Sequence, residues 1–323
     1  MRFLTPIALV LLLLLSGWAT EHHWLNYYYQ LVLMTMGINI ILTFSLNLVN
    51  GYLGEFSVGH AGFMSIGAYV ASLFSLHILP PQLFVLTIIL GGIAAAIAGV
   101  IIAILSFKTR GDYLAILTLA LLVIVKSVLE NIDSIGGAKG LSGIAKMTTL
   151  PWVIIWVLIT FYAMRNLINS RFGRNILAIR EDEIAANLMG VNTKQAKILA
   201  FSISAFFTGI AGGLYAHLLQ FITPSMFNLA KSTDMLVMVY LGGTGSLLGS
   251  VLGGTIYTIL LEALRPFAEW RMVIMPALLI LLMIFYPSGL MGLRTLRFTT
   301  LRKQLQHRFK SIRGRFQTRG SQP

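Results

Sequence analysis

The sequence predicts an all-α, polytopic membrane protein, a bundle of about ten spanning helices, and three observations carry that prediction. Of its 323 residues, 57% are hydrophobic and 11% charged, where a soluble domain carries about 25% charged residues. The mean hydropathy is +0.82. Apolar runs recur along the whole chain, and at roughly 20 residues and ~1.5 Å of rise per residue each is long enough to cross a hydrocarbon core of about 30 Å. A soluble globular enzyme is excluded. The absence of cysteine excludes disulfides, thiolate metal sites and thiol catalysis, without naming the compartment that the loops face.

The elements follow in order. Arg2 precedes an apolar run at 7–15 with the small residues Ser16, Gly17 and Ala19 after it, the outline of a signal peptide. Trp18 interrupts the small-residue pattern, and Trp24, Tyr27, Tyr28 and Tyr29 form an interfacial aromatic belt; an uncleaved first span fits better. Further spans are expected at 31–49, 62–79, 84–107, 114–129 and 151–164. Pro80 and Pro81 mark a tight connection, and Lys108, Arg110 and Asp112 a short loop that the positive-inside rule assigns to the cytoplasm. The glycine-rich connection 131–149 then falls outside, and the charged segment 165–197 is cytoplasmic again.

A span at 198–219 leads to an apolar stretch, 235–264, too long for one untilted helix. Gly242, Gly243, Gly245 and Gly249 give it a place to break. Counting it as two passes puts the last span, 273–286, before a cytoplasmic C-terminus, so that both termini lie in the cytoplasm. Residues 1–293 then form the membrane domain and 294–323 a basic tail. That tail carries much of the net charge of +13, with Arg294, Arg297, Arg302, Lys303, Arg308, Lys310, Arg313, Arg315 and Arg319 and no acid. Placed against a span, it is a topology signal that meets anionic headgroups of the lipid bilayer. Without a folded reading module and with few aromatics, it points to no nucleic-acid partner.

Tyr52-Leu53-Gly54 opens one glycine-rich stretch and Tyr240-Leu241-Gly242 another, an echo expected of a duplicated transporter with broken or re-entrant helices at matching positions. Close helix packing accounts for glycines as well. No Walker A loop, HExxH or GxSxG pattern is present, so ATP hydrolysis, zinc proteolysis and serine hydrolysis have no recognisable site. Adjacent His22 and His23 lack a third ligand, and no metal site is expected.

Ionisable residues in or near spans are few: Glu55, His60, Lys126, Glu130, Asp234, Glu262 and Arg265. Each is costly in lipid and therefore a default functional candidate. Lys126 with Glu130, and Glu262 with Arg265, read as local pairs. In GYLGEFSVGHAGFMSIGAY at 51–69, Glu55, Ser57 and His60 stand among Gly59, Gly62 and other glycines that open the backbone. With Gly242, Gly243 and Gly245 these residues are candidates for a path taken by a small zwitterion; a purely structural helix hairpin is the alternative. The segment 173–197 places Ile184 with Leu188 and Ala185 with Met189 at helical spacing beside Arg180, Glu181, Asp182 and Glu183, an apolar face suited to a partner. Gly190 ends that helix, and Asn192 and Thr193 start the next.

Four stretches together, GYLGEFSVGHAGFMSIGAY, IGGAKGLSGI at 135–144, REDEIAANLMGVNT at 180–193 and MVYLGGTGSLLGSVLGG at 238–254, resemble the LivM-type membrane permeases of bacterial ATP-binding-cassette importers for branched-chain amino acids. The resemblance covers most of the chain except the basic tail. It implies a non-enzymatic translocation subunit of the cytoplasmic membrane that binds no cofactor. ATP would be used by separate ATPase subunits, alongside a second homologous permease and an extracytoplasmic solute-binding protein. It also implies that 171–197 is the coupling loop. Ala185, Ala186 and Gly190 keep the family's EAA-and-glycine spacing, whereas Ile184 stands where that pattern has glutamate and Glu183 lies one position earlier. Related permeases carry urea or short amides, and a stand-alone channel or ion-coupled carrier using Glu55 and His60 is the reading from another class.

Overall fold

The computed structural model describes residues 26–78, 80–106 and 113–267, with isolated positions between 270 and 284. The expected first span, the Lys108–Asp112 loop, most of the last span and the basic tail lie outside the described residues, as does the orientation of both termini. The described chain is helical apart from one pair of two-residue strands.

Helix α1 (Tyr27–Asn47) runs on into a π-helical turn, Leu48–Leu53, that ends at Gly54 in the left-handed region. Helix α2 (His60–His77) follows after a non-helical segment, then α3 (Phe84–Ser106), α4 (Tyr113–Asn131) and α5 (Leu150–Asn169). Two short helices, α6 (Arg171–Glu181) and α7 (Glu183–Leu188), make an elbow before the long α8 (Thr193–Leu219). Helices α9 (Leu229–Gly242) and α10 (Leu247–Ala263) complete the order.

Five described helices are long and apolar enough to cross a membrane: Tyr27–Leu53, Pro81–Leu105, Tyr113–Asn131, Leu150–Asn169 and Thr193–Leu219. The expected break in 235–264 is present between Gly242 and Leu247, but its first arm begins earlier, at Leu229, where Asn228 caps the helix by accepting from the Lys231 amide. At 14 residues this arm extends only ~21 Å and is shorter than the hydrocarbon core. It packs on α10 as a hairpin, with Gly242 against Gly249 and Met238 against Gly253. Its length is that of a half-helix rather than of a full span.

Helix α8 is the central element, packed against α2 and α3 and also against α1. Its approach to α2 is set at Gly67, where a methyl group would run into the Gly209 backbone, and its approach to α3 at Gly209, where one would run into Ala95 and the Gly91 carbonyl; small residues let membrane helices meet closely enough for dispersion to hold them. The opposite side of α3 exposes Ile93, Ile97, Ile101 and Ile104, an apolar stripe at helical spacing that no described part of this chain covers. At one end β1 (Leu141–Ser142) pairs antiparallel with β2 (Phe221–Ile222), tying the glycine-rich 131–149 connection to the chain leaving α8. Of the aromatic belt, Tyr27 lies under Lys146 and Tyr28 under Arg265. The two local ion pairs form as expected, Lys126–Glu130 at 3.7 Å and Glu262–Arg265 at 3.3 Å.

Candidate functional site

The segment 54–59 leaves helical geometry although it lies alongside α8. Glu55 meets Lys197 on α8, and His60 meets Ser204, seven residues or ~10 Å further along the same helix. Non-helical backbone at such depth persists only when its polar groups find partners in the protein. Here they do. The amide of Glu55 donates to the Val49 carbonyl (3.1 Å), that of Ser57 to Asn50 Oδ1 (3.2 Å), that of Val58 to Thr118 Oγ1 (3.1 Å) and that of Ala61 to Ser232 Oγ (3.2 Å).

The second break, 243–246, sits against the first. Asn47, at the end of α1, accepts from the Gly245 amide (2.9 Å) and donates to the Ser246 carbonyl (3.0 Å) and to Ser250 Oγ (2.7 Å). Gly51 and Gly245 are in backbone contact, and Gly243 and Gly245 both have positive φ. The two glycine-rich stretches that echo one another in sequence therefore meet in space.

Over this junction lies the elbow. Helix α7 starts at Asp182, whose carboxylate accepts from the amides of Ile184 (2.8 Å) and Ala185 (3.0 Å), and ends at Gly190 with φ +83°. There the Gly190 amide bonds the Asn187 carbonyl and the Val191 amide the Ala186 carbonyl, a Schellman stop. Asn192 then caps α8. The segment 171–197 is thus two capped helices plus the start of α8, because caps at Ser170, Asp182 and Asn192 define each start; the stop at Gly190 and the restart after Asn192 are as the sequence predicts. Ala186 is buried, while Ala185, Ile184, Leu188 (84% exposed) and Met189 (85%) face outward. Arg180, next to Glu181 at the end of α6, lays its side chain across Gly54 and reaches Gly245, touching both breaks.

Lys197 joins these parts. Its residue is 4% exposed, and its ammonium lies 2.6 Å from a Glu55 oxygen and 2.9 Å from a Glu183 oxygen. A lysine this buried persists only when paired. One carboxylate comes from the broken helix and the other from α7.

Deeper along α8, His60 is held on both sides, Nδ1 3.0 Å from Ser57 Oγ and Nε2 2.8 Å from Ser204 Oγ. Ser204 Oγ donates to the Ser45 carbonyl (2.7 Å), Ser45 Oγ donates to the Ser204 carbonyl, and Ser45 also meets Thr208 at 2.6 Å. Gly59 and Gly62 lie against α4, at Thr118 and Leu122. Of the predicted path residues, then, Glu55 sits at the elbow, Ser57 and His60 in a buried polar chain, Gly59 and Gly62 at a helix contact, and Gly242, Gly243 and Gly245 at the second break. No group of three or more potential metal ligands occurs among the described residues.

Sequence reasoning missed Lys197, Asn47 and Ser204. The charged segment read from the sequence ends at Lys197, although five residues after the Asn192 cap this lysine already belongs to an apolar helix. A lysine inside such a run, with glutamates in neighbouring segments, was the available signal. Asn47 stood out only as an amide in an apolar span, and nothing marked Ser204.

The chain matches the family described as branched-chain amino acid transport system / permease component over residues 28–284. It is 33% identical over 293 residues to the high-affinity branched-chain amino acid transport system permease protein LivM of Salmonella typhimurium, covering 80% of this chain and 68% of that protein. A probable branched-chain amino acid transport permease protein LivM of Methanocaldococcus jannaschii is 26% identical over 333 residues, covering 85% and 96%. The permease protein LivH of Escherichia coli K12 is 36% identical over 155 residues, 46% of this chain and 49% of that one. No solved structure matches the chain. Its apolar helices, its broken-helix junction and this match over most of its length make the chain a multi-pass membrane protein that belongs to the branched-chain amino acid transport system permease family.

Proposed function

We propose that this chain is a translocation subunit of an ATP-binding-cassette importer in a bacterial cytoplasmic membrane, carrying leucine, isoleucine, valine or a related small amino acid inward. ATP hydrolysis belongs to separate ATPase subunits, and this chain binds no cofactor of its own. A second homologous permease and an extracytoplasmic solute-binding protein complete the assembly. The termini and the α6–α7 elbow face the cytoplasm, and the solute passes the junction of the two breaks, along Glu55, Ser57, Gly59, His60, Gly62, Gly242, Gly243 and Gly245.

The observation that carries this reading is α7. It is a short, doubly capped helix whose Ile184, Leu188 and Met189 are exposed on the elbow, outside the long spans. An apolar face on a rigid knob fits a groove on another protein; Glu183 of the knob reaches the first break through Lys197, and Arg180 of the preceding helix touches both breaks. Force applied at α7 by closing ATPases therefore has a short route to the solute path, a rigid-body switch between inward-open and outward-open states.

The test is recovery of the tagged chain from native membranes in mild detergent, followed by ATP-driven uptake of labelled leucine after reconstitution of the recovered complex. A near-stoichiometric ATPase and a second permease, with leucine uptake, are expected. Uptake of urea in place of leucine would move the solute to the amide branch. Uptake by the chain alone, driven by a proton gradient, would replace the importer with a carrier.

A further inference from the structure

We propose that Lys197 is a positioning residue that transmits movement of the α7 elbow to the broken helix at 54–59, through its simultaneous ion pairs with Glu183 and Glu55. The proposal rests on the importer reading.

Three separate segments contribute one charge each. Glu183 opens α7, Lys197 lies in the second turn of α8, and Glu55 follows Gly54, the left-handed residue that ends the π-helical turn. The ammonium is almost inaccessible, its side chain 5% exposed, while the Glu183 side chain is 41% exposed and that of Glu55 16%. Water can solvate Glu183 when the elbow shifts, but it cannot solvate Lys197. An ammonium held so far from solvent must keep a carboxylate partner. When α7 moves, Lys197 either follows it, drawing Glu55 and the Gly54 bend along, or surrenders Glu183 and is held by Glu55 alone. Both responses act on the first break.

The position on α8 extends the link. Lys197, Ser204 and Thr208 are spaced by seven and four residues, which places them on one face of the helix. Ser204 holds His60 of α2, and Ser204 and Thr208 both hold Ser45 of α1. One stripe of α8 thus meets the elbow at its start and both arms of the first broken helix further in. Arg180, whose side chain crosses Gly54 and Gly245, is a second contact from the same elbow to the same junction. Because the Glu183 carboxylate is engaged inside the chain, the face left for the ATPase is the apolar one of Ile184, Leu188 and Met189.

The experiment is reconstitution of the native complex into liposomes with measurement of leucine transported per ATP hydrolysed, alongside the amount of ATPase that co-purifies. Glu183→Gln, Glu55→Gln and Lys197→Met are each expected to lower transport per ATP at least tenfold while the ATPase still co-purifies. The triple exchange Glu55→Lys, Lys197→Glu and Glu183→Lys, which reverses both pairs at once, is expected to restore a substantial part of transport per ATP, a ratio that a change in the amount of folded protein alone does not move. Should Lys197→Met fail to accumulate, the isosteric neutral triple variant, Lys197→Met with Glu55→Gln and Glu183→Gln, removes the charges without leaving one unpaired and carries the same expectation. Transport per ATP within twofold of the native complex in the glutamine and neutral triple variants overturns the proposal. So does loss of the ATPase from Glu183→Gln, which would place that carboxylate in the intersubunit contact. Absence of ATP-driven leucine uptake in the native complex would instead refute the importer reading itself.

Discussion

The Asn47 side chain bonds the second helix break at three points, accepting from the Gly245 amide and donating to the Ser246 carbonyl and the Ser250 hydroxyl. No other residue type of this size offers an acceptor and a pair of donors on one planar group. Asn47→Leu should leave the Gly245 amide and the Ser246 carbonyl without this partner, at about 1–3 kcal/mol for each group that stays buried. A clearly lower thermal unfolding midpoint in detergent is expected, and Asn47→Asp should lower it as well, because it keeps the acceptor but sets a buried carboxylate oxygen against the Ser246 carbonyl. An unchanged midpoint for Asn47→Leu would mean that water replaces the amide at the junction.

The contact between α2 and α8 depends on Gly67 and Gly209, since a Cβ on Gly67 would be driven into the Gly209 backbone. Gly67→Val should separate the two helices and destabilise the fold by about 1–3 kcal/mol or more, the usual range for overpacking. The control is Gly143, which has a positive φ of 82° but open space around it. Gly143→Asn should be tolerated, because asparagine adopts the left-handed region more readily than other residues. Membrane yield and detergent melting of the two variants check the contrast.

Removal of the apolar knob separates docking from folding. Ile184, Leu188 and Met189 are all strongly exposed, and surface substitutions away from special features usually shift stability by no more than about 0.5 kcal/mol. The triple variant Ile184→Ser, Leu188→Ser, Met189→Ser is expected to melt like the native chain and to lose co-purifying ATPase. Retention of ATPase at native stoichiometry would remove α7 from the intersubunit contact.

How far the sequence discloses this architecture depends on whether a feature is local. Among the described residues, the bounds of the five long apolar helices, the break at Gly242–Gly249 and the stop at Gly190 rest on hydropathy and on glycine conformation, which adjacent residues specify, and the structure places each near where the sequence predicts it. The half-helix start at Leu229 escaped because hydropathy falls across Lys231 and Asp234, although Asn228 caps that start. The site is less legible. Glu55 and Glu183 are recognisable as unusual carboxylates, yet their common partner is 142 residues from one and 14 from the other, by their positions at 55, 183 and 197. Nothing in local periodicity joins such groups; tertiary packing of α8 does. The glycines at 59 and 62 are ambiguous for the same reason, since a backbone opened for a solute and a backbone thinned for a neighbouring helix use the same residue.

His60 tests what the buried polar chain does. Both ring nitrogens are occupied inside the protein, by Ser57 and by Ser204, so a solute that meets His60 must first displace one of those hydroxyls. Ser204→Ala deletes one partner while keeping the ring, and leaves a buried nitrogen to desolvation, at about 1–3 kcal/mol. His60→Leu deletes both bonds and fills similar space without polarity. If the ring contacts the solute, His60→Leu should lower uptake per folded transporter at least tenfold and raise the apparent KM, whereas Ser204→Ala, with the ring freed, should lower stability but leave KM near native or reduce it. If the ring only braces α2 against α8, the two variants should lose stability together, and uptake normalised to folded protein should not distinguish them. The first pattern is the expected one, because a histidine at the helical start of a broken span, next to the non-helical 54–59 segment, stands where transporters present backbone and side-chain groups to their solutes.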